Sequence, residues 1–140
     1  VAQLKAAGLL AIVVTNQPDV GAGRQSTEIL GAMHARLRAA MPLDDIRVCT
    51  CDHDCPCYKP RPGLLLDAAR EWGIALDRSF MVGDRWRDVG AGRAAGCTTY
   101  FIDRGYVEPL RERPDFVVAD LAEAARHILG RGPLGETGEQ

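Results

Sequence analysis

The hydrophobic pattern of the chain breaks most sharply at Thr15-Asn16-Gln17-Pro18, where its longest apolar run, residues 8–14, gives way to small polar groups. The segment 9–14 ends in β-branched residues and reads as a strand buried on both faces, as parallel sheets require. Ahead of it, alanine-rich residues 1–7 close at Gly8, which fits the C-terminal half of a helix with a glycine stop. After it, Gly21-Ala22-Gly23 predicts a mobile loop. Ser26 or Thr27 then caps a helix with Leu30, Met33, His34 and Leu37 along one face, ended by Pro42. Residues 46–48 predict a short second strand. Leucines and alanines at helical spacing put a helix on Gly63–Trp72 with its stop at Gly73. Residues 80–82 form a short buried strand running into Gly83-Asp84, followed by a helix over Trp86–Ala95 closed by Gly96. Thr98–Ile102 and Phe116–Val118 are strands, and 121–129 is the last helix. The tail 130–140 is rich in glycine and acid, has no periodicity, and is expected to be disordered.

Strand–helix alternation of this kind predicts an α/β domain over residues 1–129, a parallel sheet with helices on both faces. In such open sheets ligands bind beyond the carboxyl ends of the strands. Thr15-Asn16 and Gly83-Asp84 fall at two such ends, and Lys59 can reach the same rim. Composition changes the picture little. The 140 residues are 46% hydrophobic and 26% charged, ordinary values for a soluble globular protein, and one domain is the simplest reading. A net charge of −2, with arginines interspersed among acids, gives no reason to expect a nucleic-acid partner. The apolar run is too short to span a bilayer, and no signal segment opens the sequence, so a cytoplasmic monomer is expected. Val1 already lies inside a predicted helix, a hint that a segment is missing upstream.

Chemistry concentrates between residues 49 and 60. Cys49, Cys51, Cys55 and Cys57 crowd into nine residues with His53 among them. Without a secretory signal this density argues for thiolates around a metal rather than for a disulfide framework. Zn²⁺ takes four ligands, so five candidates compete for four positions, and a closed site would be structural. It would stiffen the loop carrying Lys59, which stands between Tyr58 and Pro60, with Pro62 close behind. A lysine so restrained can neutralise a transferring phosphoryl group, although most loop lysines are simply solvated. Thr15 and Asn16 offer polar groups suited to an oxyanion, but taken alone they are more often a capped turn. Asp84 at a strand end suits Mg²⁺. Asp88, four residues on, can support the same ion or act as an N-terminal helix charge. His34 and His127 on predicted helices, and Cys97 at a strand start, read as core or surface residues.

With these residues in hand, the chain resembles the haloacid dehalogenase-like phosphatases, more narrowly the branch of heptose bisphosphate and histidinol-phosphate phosphatases. The matching pieces, in the family's order, are Val13-Val14-Thr15-Asn16-Gln17, Cys55-Pro56-Cys57-Tyr58-Lys59-Pro60-x-Pro62-Gly63, and Met81-Val82-Gly83-Asp84-Arg85-x-x-Asp88. The resemblance runs from Val1 to about residue 129. It implies a Rossmann-like core and Mg²⁺-dependent hydrolysis of a sugar phosphate or similar small metabolite through an aspartyl-phosphate. Thr15 and Asn16 would grip the phosphate, Lys59 would stabilise nucleophile and phosphoryl oxygens, and Asp84 with Asp88 would hold Mg²⁺. It also implies a structural Zn²⁺ on Cys49, Cys51, Cys55 and Cys57, with His53 as substitute for Cys51.

Two departures stand out. The family's nucleophilic Asp-x-Asp, on a central first strand, has no counterpart upstream of Thr15, and Asp52-x-Asp54 lies inside the cysteine loop. The branch's usual arginine is replaced by Tyr58, which leaves the substrate open. The sequence therefore predicts the larger part of such a phosphatase, inactive without its first strand. The competing expectations are an inactive zinc-stabilised module that binds phosphorylated ligands or a protein and, less well fitted to so dense a cluster, a thiol redox protein.

Overall fold

The computed structural model describes residues 1–23, 25–51 and 54–130. In chain order these form α1 (Ala2–Ala6), β1 (Ile12–Asn16), α2 (Pro18–Gly21), α3 (Thr27–Ala40), β2 (Asp45–Cys49), α4 (Gly63–Trp72), a single 3-10 turn (Leu76–Arg78), β3 (Phe80–Gly83), α5 (Trp86–Ala95), β4 (Thr98–Ile102), β5 (Phe116–Val118) and α6 (Leu121–Gly130). Every strand pair is parallel, as a crossover fold with intervening helices dictates. The strands fall into two sheets, β1–β2 and β3–β4–β5.

Local signals set most boundaries. Ser26 accepts a hydrogen bond from the Ile29 N–H (3.0 Å) and starts α3. Gly73 and Gly96 end α4 and α5 at φ of 65° and 86°, a left-handed conformation that costs a residue with a Cβ far more than glycine.

Helices cover both faces of the larger sheet. On one face Met81 packs with Leu64 and Leu65 of α4, Ala91 of α5, Cys97 and Cys49. On the other Phe80, Val82, Tyr100, Ile102 and Val118 pack with Ala124 and Ile128 of α6, and with Leu4 of α1. The alternation of Met81 against Phe80 and Val82 is the two-residue period of a strand buried on both sides. Among the described residues no helix is long and apolar enough to cross a membrane.

Four expectations need correcting. The strand starts at Ile12 rather than residue 9, because Leu9 turns into the second core and Leu10 is left 44% exposed. β1 is half-buried throughout instead of buried on both faces, since it pairs on one side only. Pro18 at the first helical position nucleates α2 where a loop was expected, and Gly21 is its last residue. Of the face predicted for α3 only Leu30 is buried, while Met33 is 45% exposed. Gly130 closes α6; the rest of the tail, 131–140, lies outside the described residues, as do Asp52 and His53.

A cavity of about 760 Å³ lies between the two sheets. Ile12, Val14, Phe80 and Val82 line it together with Leu65 of α4 and Ile128 of α6. Lys59, Asp84, Asp88 and Thr15 border the same space.

Candidate active site at the carboxyl ends of β1 and β3

Lys59 is buried, 8% exposed, and its ammonium makes two bonds. It donates to the Val14 carbonyl of β1 (3.0 Å) and to Asp88 Oδ1 of α5 (2.6 Å). An ammonium has three donors, so one remains for a ligand in the cavity that Lys59 borders. Asn16 at the end of β1 fixes the main chain beneath the lysine. Its Oδ1 accepts from the Lys59 N–H (3.0 Å) and its Nδ2 donates to the Lys59 carbonyl (3.2 Å). The Lys59–Pro60 peptide bond is cis. Pro60 rests against α5 at Gly90, where an added Cβ would stand 2.7 Å from the Pro60 Cβ.

Asp88 is buried and both of its oxygens are engaged. Oδ1 accepts from Lys59, and Oδ2 accepts from the Arg85 N–H (3.1 Å) at the start of α5. The same carboxylate thus sits at the start of a helix, one of the two roles that the sequence left open, and also balances the buried Lys59 ammonium. Gly83 makes this possible, since any side chain there would collide with the Asp88 carboxyl.

Asp84 is the more accessible carboxylate. Tyr106 Oη donates to its Oδ2 (3.3 Å), and Arg104 Nε lies 3.4 Å from the same oxygen. Asp84 is a half-exposed strand-end carboxylate, the kind of oxygen donor that Mg²⁺ takes, and here the Arg104 guanidinium stands in the place of such a cation. Thr15 Oγ1 accepts from Gln17 Nε2 (3.1 Å), which leaves the hydroxyl free to donate. The structure thus brings Thr15, Asn16, Lys59, Asp84 and Asp88 to one rim. Asn16, however, spends its side chain on positioning Lys59.

Sequence reasoning missed the basic and aromatic border of this rim. Arg85 pairs with Glu108 (Nε to Oε1 3.0 Å), and this contact, helped by the Trp86 N–H, holds the Glu108 carboxyl below its usual range. Arg111 lies 3.9 Å over the Trp86 ring, while Arg87 lies 4.8 Å over Trp86 and 5.8 Å over Tyr58. Only the density of arginine between residues 104 and 113 hinted at it.

In the cysteine loop, the sulfurs of Cys49, Cys51 and Cys57 all lie within 4.8 Å of one another. Tetrahedral Zn–S bonds of about 2.3 Å hold ligand sulfurs about 3.8 Å apart, so these three fit one ion once the Cys49–Cys57 bond is reduced and its sulfurs part. Cys55 packs at the edge of the core containing Cys49, and His53 lies outside the described residues. Cys49 and Cys57 stand as a disulfide, which corrects the expectation that none would form. Metal and disulfide are alternative states of the same close pair, because the ligand is a thiolate. Cys97 is the expected buried thiol, and burial pushes its pKa up to about 11. His127 bonds the Tyr100 hydroxyl (2.6 Å), and neither it nor His34 approaches the cysteine cluster.

Residues 56–124 match the HAD-hydrolase-like family. A D-glycero-β-D-manno-heptose-1,7-bisphosphate 7-phosphatase of Pseudomonas putida is 34% identical, the match covering 92% of this chain and 80% of that protein. The Pseudomonas aeruginosa protein of the same name is also 34% identical, over 92% and 79%. Among solved structures, the D,D-heptose 1,7-bisphosphate phosphatase of Bordetella bronchiseptica, complexed with magnesium and phosphate, superposes with a TM-score of 0.80 at 29% identity. That match covers 93% of this chain and 79% of the other. On this agreement of sequence and fold, the chain belongs to the HAD-like phosphatases, of the heptose bisphosphate phosphatase type.

Proposed function

We propose that the rim around Lys59 serves Mg²⁺-dependent hydrolysis of a sugar phosphate or similar small phosphomonoester through an aspartyl-phosphate. The observation that carries this reading is the buried Lys59 ammonium, held between the Val14 carbonyl and Asp88 with one donor left toward the cavity. In a water-poor site such a charge stabilises the equatorial oxygens of a transferring phosphoryl group. Thr15 supplies a hydroxyl to the same oxygens, and Asn16 keeps the lysine in register. Asp84, with Asp88 in support, would hold Mg²⁺, which when bound neutralises the phosphate and the attacking carboxylate. Cys49, Cys51, Cys55 and Cys57, with His53 as substitute for Cys51, would hold a structural Zn²⁺ that stiffens the loop ahead of Lys59.

The reaction needs a carboxylate that attacks phosphorus as the ester oxygen leaves with a proton, after which water cleaves the acyl phosphate. Asp84 and Asp88 are committed elsewhere, and Asp54 lies in the cysteine loop, so the nucleophile must come from a further segment ending in Asp-x-Asp. On this reading the 140-residue chain does not turn over p-nitrophenyl phosphate with Mg²⁺, whereas a chain extended upstream by such a strand does. In the extended protein Lys59→Ala and Asp84→Asn each lower kcat by about 10²–10³-fold, the usual loss for one transition-state charge. Mg²⁺-dependent turnover by the pure unextended chain overturns the assignment. The same gap favours a second reading, a non-catalytic phospho-ligand binder. Phosphate binding by an extended but inactive protein would support it. The relatives named for heptose bisphosphate make that sugar the first substrate to try, with Tyr58 as the position where preference diverges.

A further inference from the structure

The cysteine loop touches both segments that seat Lys59. Cys49 is the last residue of β2 and pairs in register with Asn16 of β1. Cys57 stands two residues before Lys59, whose main chain Asn16 holds through its N–H and its carbonyl. A link between these two sulfurs therefore runs alongside the Asn16 bonds and joins the same two segments. The Cα atoms of Cys49 and Cys57 lie 5.5 Å apart, inside the ordinary range for a bridge. With Cys51, the same sulfurs also lie within reach of one ion. One backbone thus accommodates either tether, thiolates on a metal or a covalent bond.

Burial sets the three sulfurs apart. Cys49 is 1% exposed and lies in the core with Leu64 and Leu65, Cys57 is half-buried, and Cys51 is exposed. Thiolate oxidation follows access from solvent. An oxidant therefore meets Cys51 first, yet the bond in the structure joins the two sulfurs behind it. Cys51 Sγ, within 4.8 Å of both, connects that entry point to the bridge.

We propose that Cys51 is the oxidant-reactive cysteine of a thiol relay, in which a hydroperoxide exchanges the metal tether for the Cys49–Cys57 bridge while Lys59 stays seated. The Cys51 thiolate attacks hydrogen peroxide: an S–O bond forms, the O–O bond breaks, and hydroxide leaves. The Cys57 thiolate then attacks the Cys51 sulfur, an S–S bond forms, and the sulfenic oxygen departs as hydroxide. The Cys49 thiolate attacks the Cys57 sulfur and expels Cys51 as a thiolate. In sum, two thiolates lose two electrons, and one peroxide takes them with two protons to give two waters. With two of its thiolates bonded to each other, the ion is freed. The product bridge is withdrawn toward the core, out of reach of returning thiols. Only the metal tether rests on the zinc reading; the relay among the sulfurs stands without it.

The test uses the reduced chain, with and without Zn²⁺, and hydrogen peroxide. Peroxide should release about one ion per chain to a metal-indicator dye, and peptide mapping by mass should find Cys49 joined to Cys57. Cys51→Ser should slow formation of that bridge at least about tenfold in the zinc-free chain, where loss of a ligand plays no part. Cys97→Ser should leave the rate unchanged, since that thiol is buried outside the cluster. The Tyr58 and Gly63 amides, bonded to the Cys55 and Pro56 carbonyls, should stay protected in the oxidised chain. In the reduced, chelated chain they should exchange at least about tenfold faster. A dominant final bridge through Cys51, or equal rates for the parent chain and Cys51→Ser, overturns the relay. So does an oxidised chain whose loop exchanges as fast as that of the reduced, metal-free one. A reduced chain that binds no Zn²⁺ overturns the exchange of tethers together with the zinc reading; with Zn²⁺ bound, the other failures strike the relay alone.

Discussion

The two halves of the molecule are built to different standards. In the half carrying β3, β4 and α5, Ala91 and Thr99 are fully buried and Tyr100 is 1% exposed. There α5 lies so close to the sheet that a Cβ on Gly92 would stand 2.6 Å from the Met81 Cβ. In the half carrying β1, β2 and α3, every residue of β1 is half-buried and α3 buries only Leu30. Three strands with helices on both faces can hold themselves together, whereas two strands are marginal. The first half therefore depends on its ties to the second: the packing of Cys49 into the core and the Lys59 bridge. Lys59 is a structural clamp, bonding Val14 on one side and Asp88 on the other.

The largest expected effect comes from metal. Reduced, Zn²⁺-loaded protein should bind about one ion, and structural zinc sites contribute on the order of 10 kcal/mol to the segment they close. Chelation should loosen the loop before Lys59 and raise amide exchange in β1 and β2 while leaving β4 protected. Cys57→Ser should do the same, and equal loss in both halves would erase the contrast.

Next is the clamp. Lys59→Ala leaves the Asp88 carboxylate buried without its cation, a change that costs about 3–5 kcal/mol in comparable sites. Urea titration followed by exchange should show the first half opening at lower urea than the second.

Two glycines sharpen the comparison further. Gly92→Ala forces a methyl against Met81 and Thr99 and should destabilise by about 1–3 kcal/mol. Gly31→Ala in α3 meets nothing within 4 Å and should stabilise by about 0.5–1 kcal/mol. Thermal melts of the pair measure how tightly each half is packed.

The smallest effect is electrostatic. Asp44 accepts from Lys5 Nζ (2.6 Å) and from the Ala11 N–H (2.7 Å), and the lysine contact first, then the N–H, holds its carboxyl below the ordinary value of 3.8. A depressed folded-state pKa adds stability above the unfolded value and loses it as pH falls through the folded one. The tie between α1 and the start of β2 should therefore persist above about pH 4 and weaken only below 3.8, and Asp44→Asn should remove that acid sensitivity.

Much of this was legible in the sequence because the signals are local. Glycine stops at Gly73 and Gly96, the apolar strands, and the polar breaks after Val14 and Val82 fixed most elements and brought Lys59, Asp84 and Thr15 to one rim. What stayed hidden depends on registers and distances between segments far apart in the chain. No local pattern says that β1 and β3 are not neighbours, that Asn16 turns its amide on Lys59, or that Tyr106 and Arg104 reach back to Asp84. Pro18 and Asp19 did carry a helix-start signal, overridden by the weight given to Gly21 and Gly23. Cys49 and Cys57, eight residues apart, read as thiolate ligands rather than as a bridge, because ligands of one ion and partners in one disulfide stand equally close in sequence.

The notch at Gly90 that receives Pro60 has a consequence for how such a protein can vary. The lysine takes its position from a proline seated against a helix and from the paired amide of Asn16, not from the length of the loop that precedes it. The loop ahead of it acts on the tether, since the Cys55 and Pro56 carbonyls accept from the Tyr58 and Gly63 N–H groups, while the ammonium takes its seat from Pro60 and Asn16. A changed metal-binding pattern there alters how firmly the segment is held. Selection can rework the tether and the seat of the lysine separately, a division that rests on the absence of one methyl group.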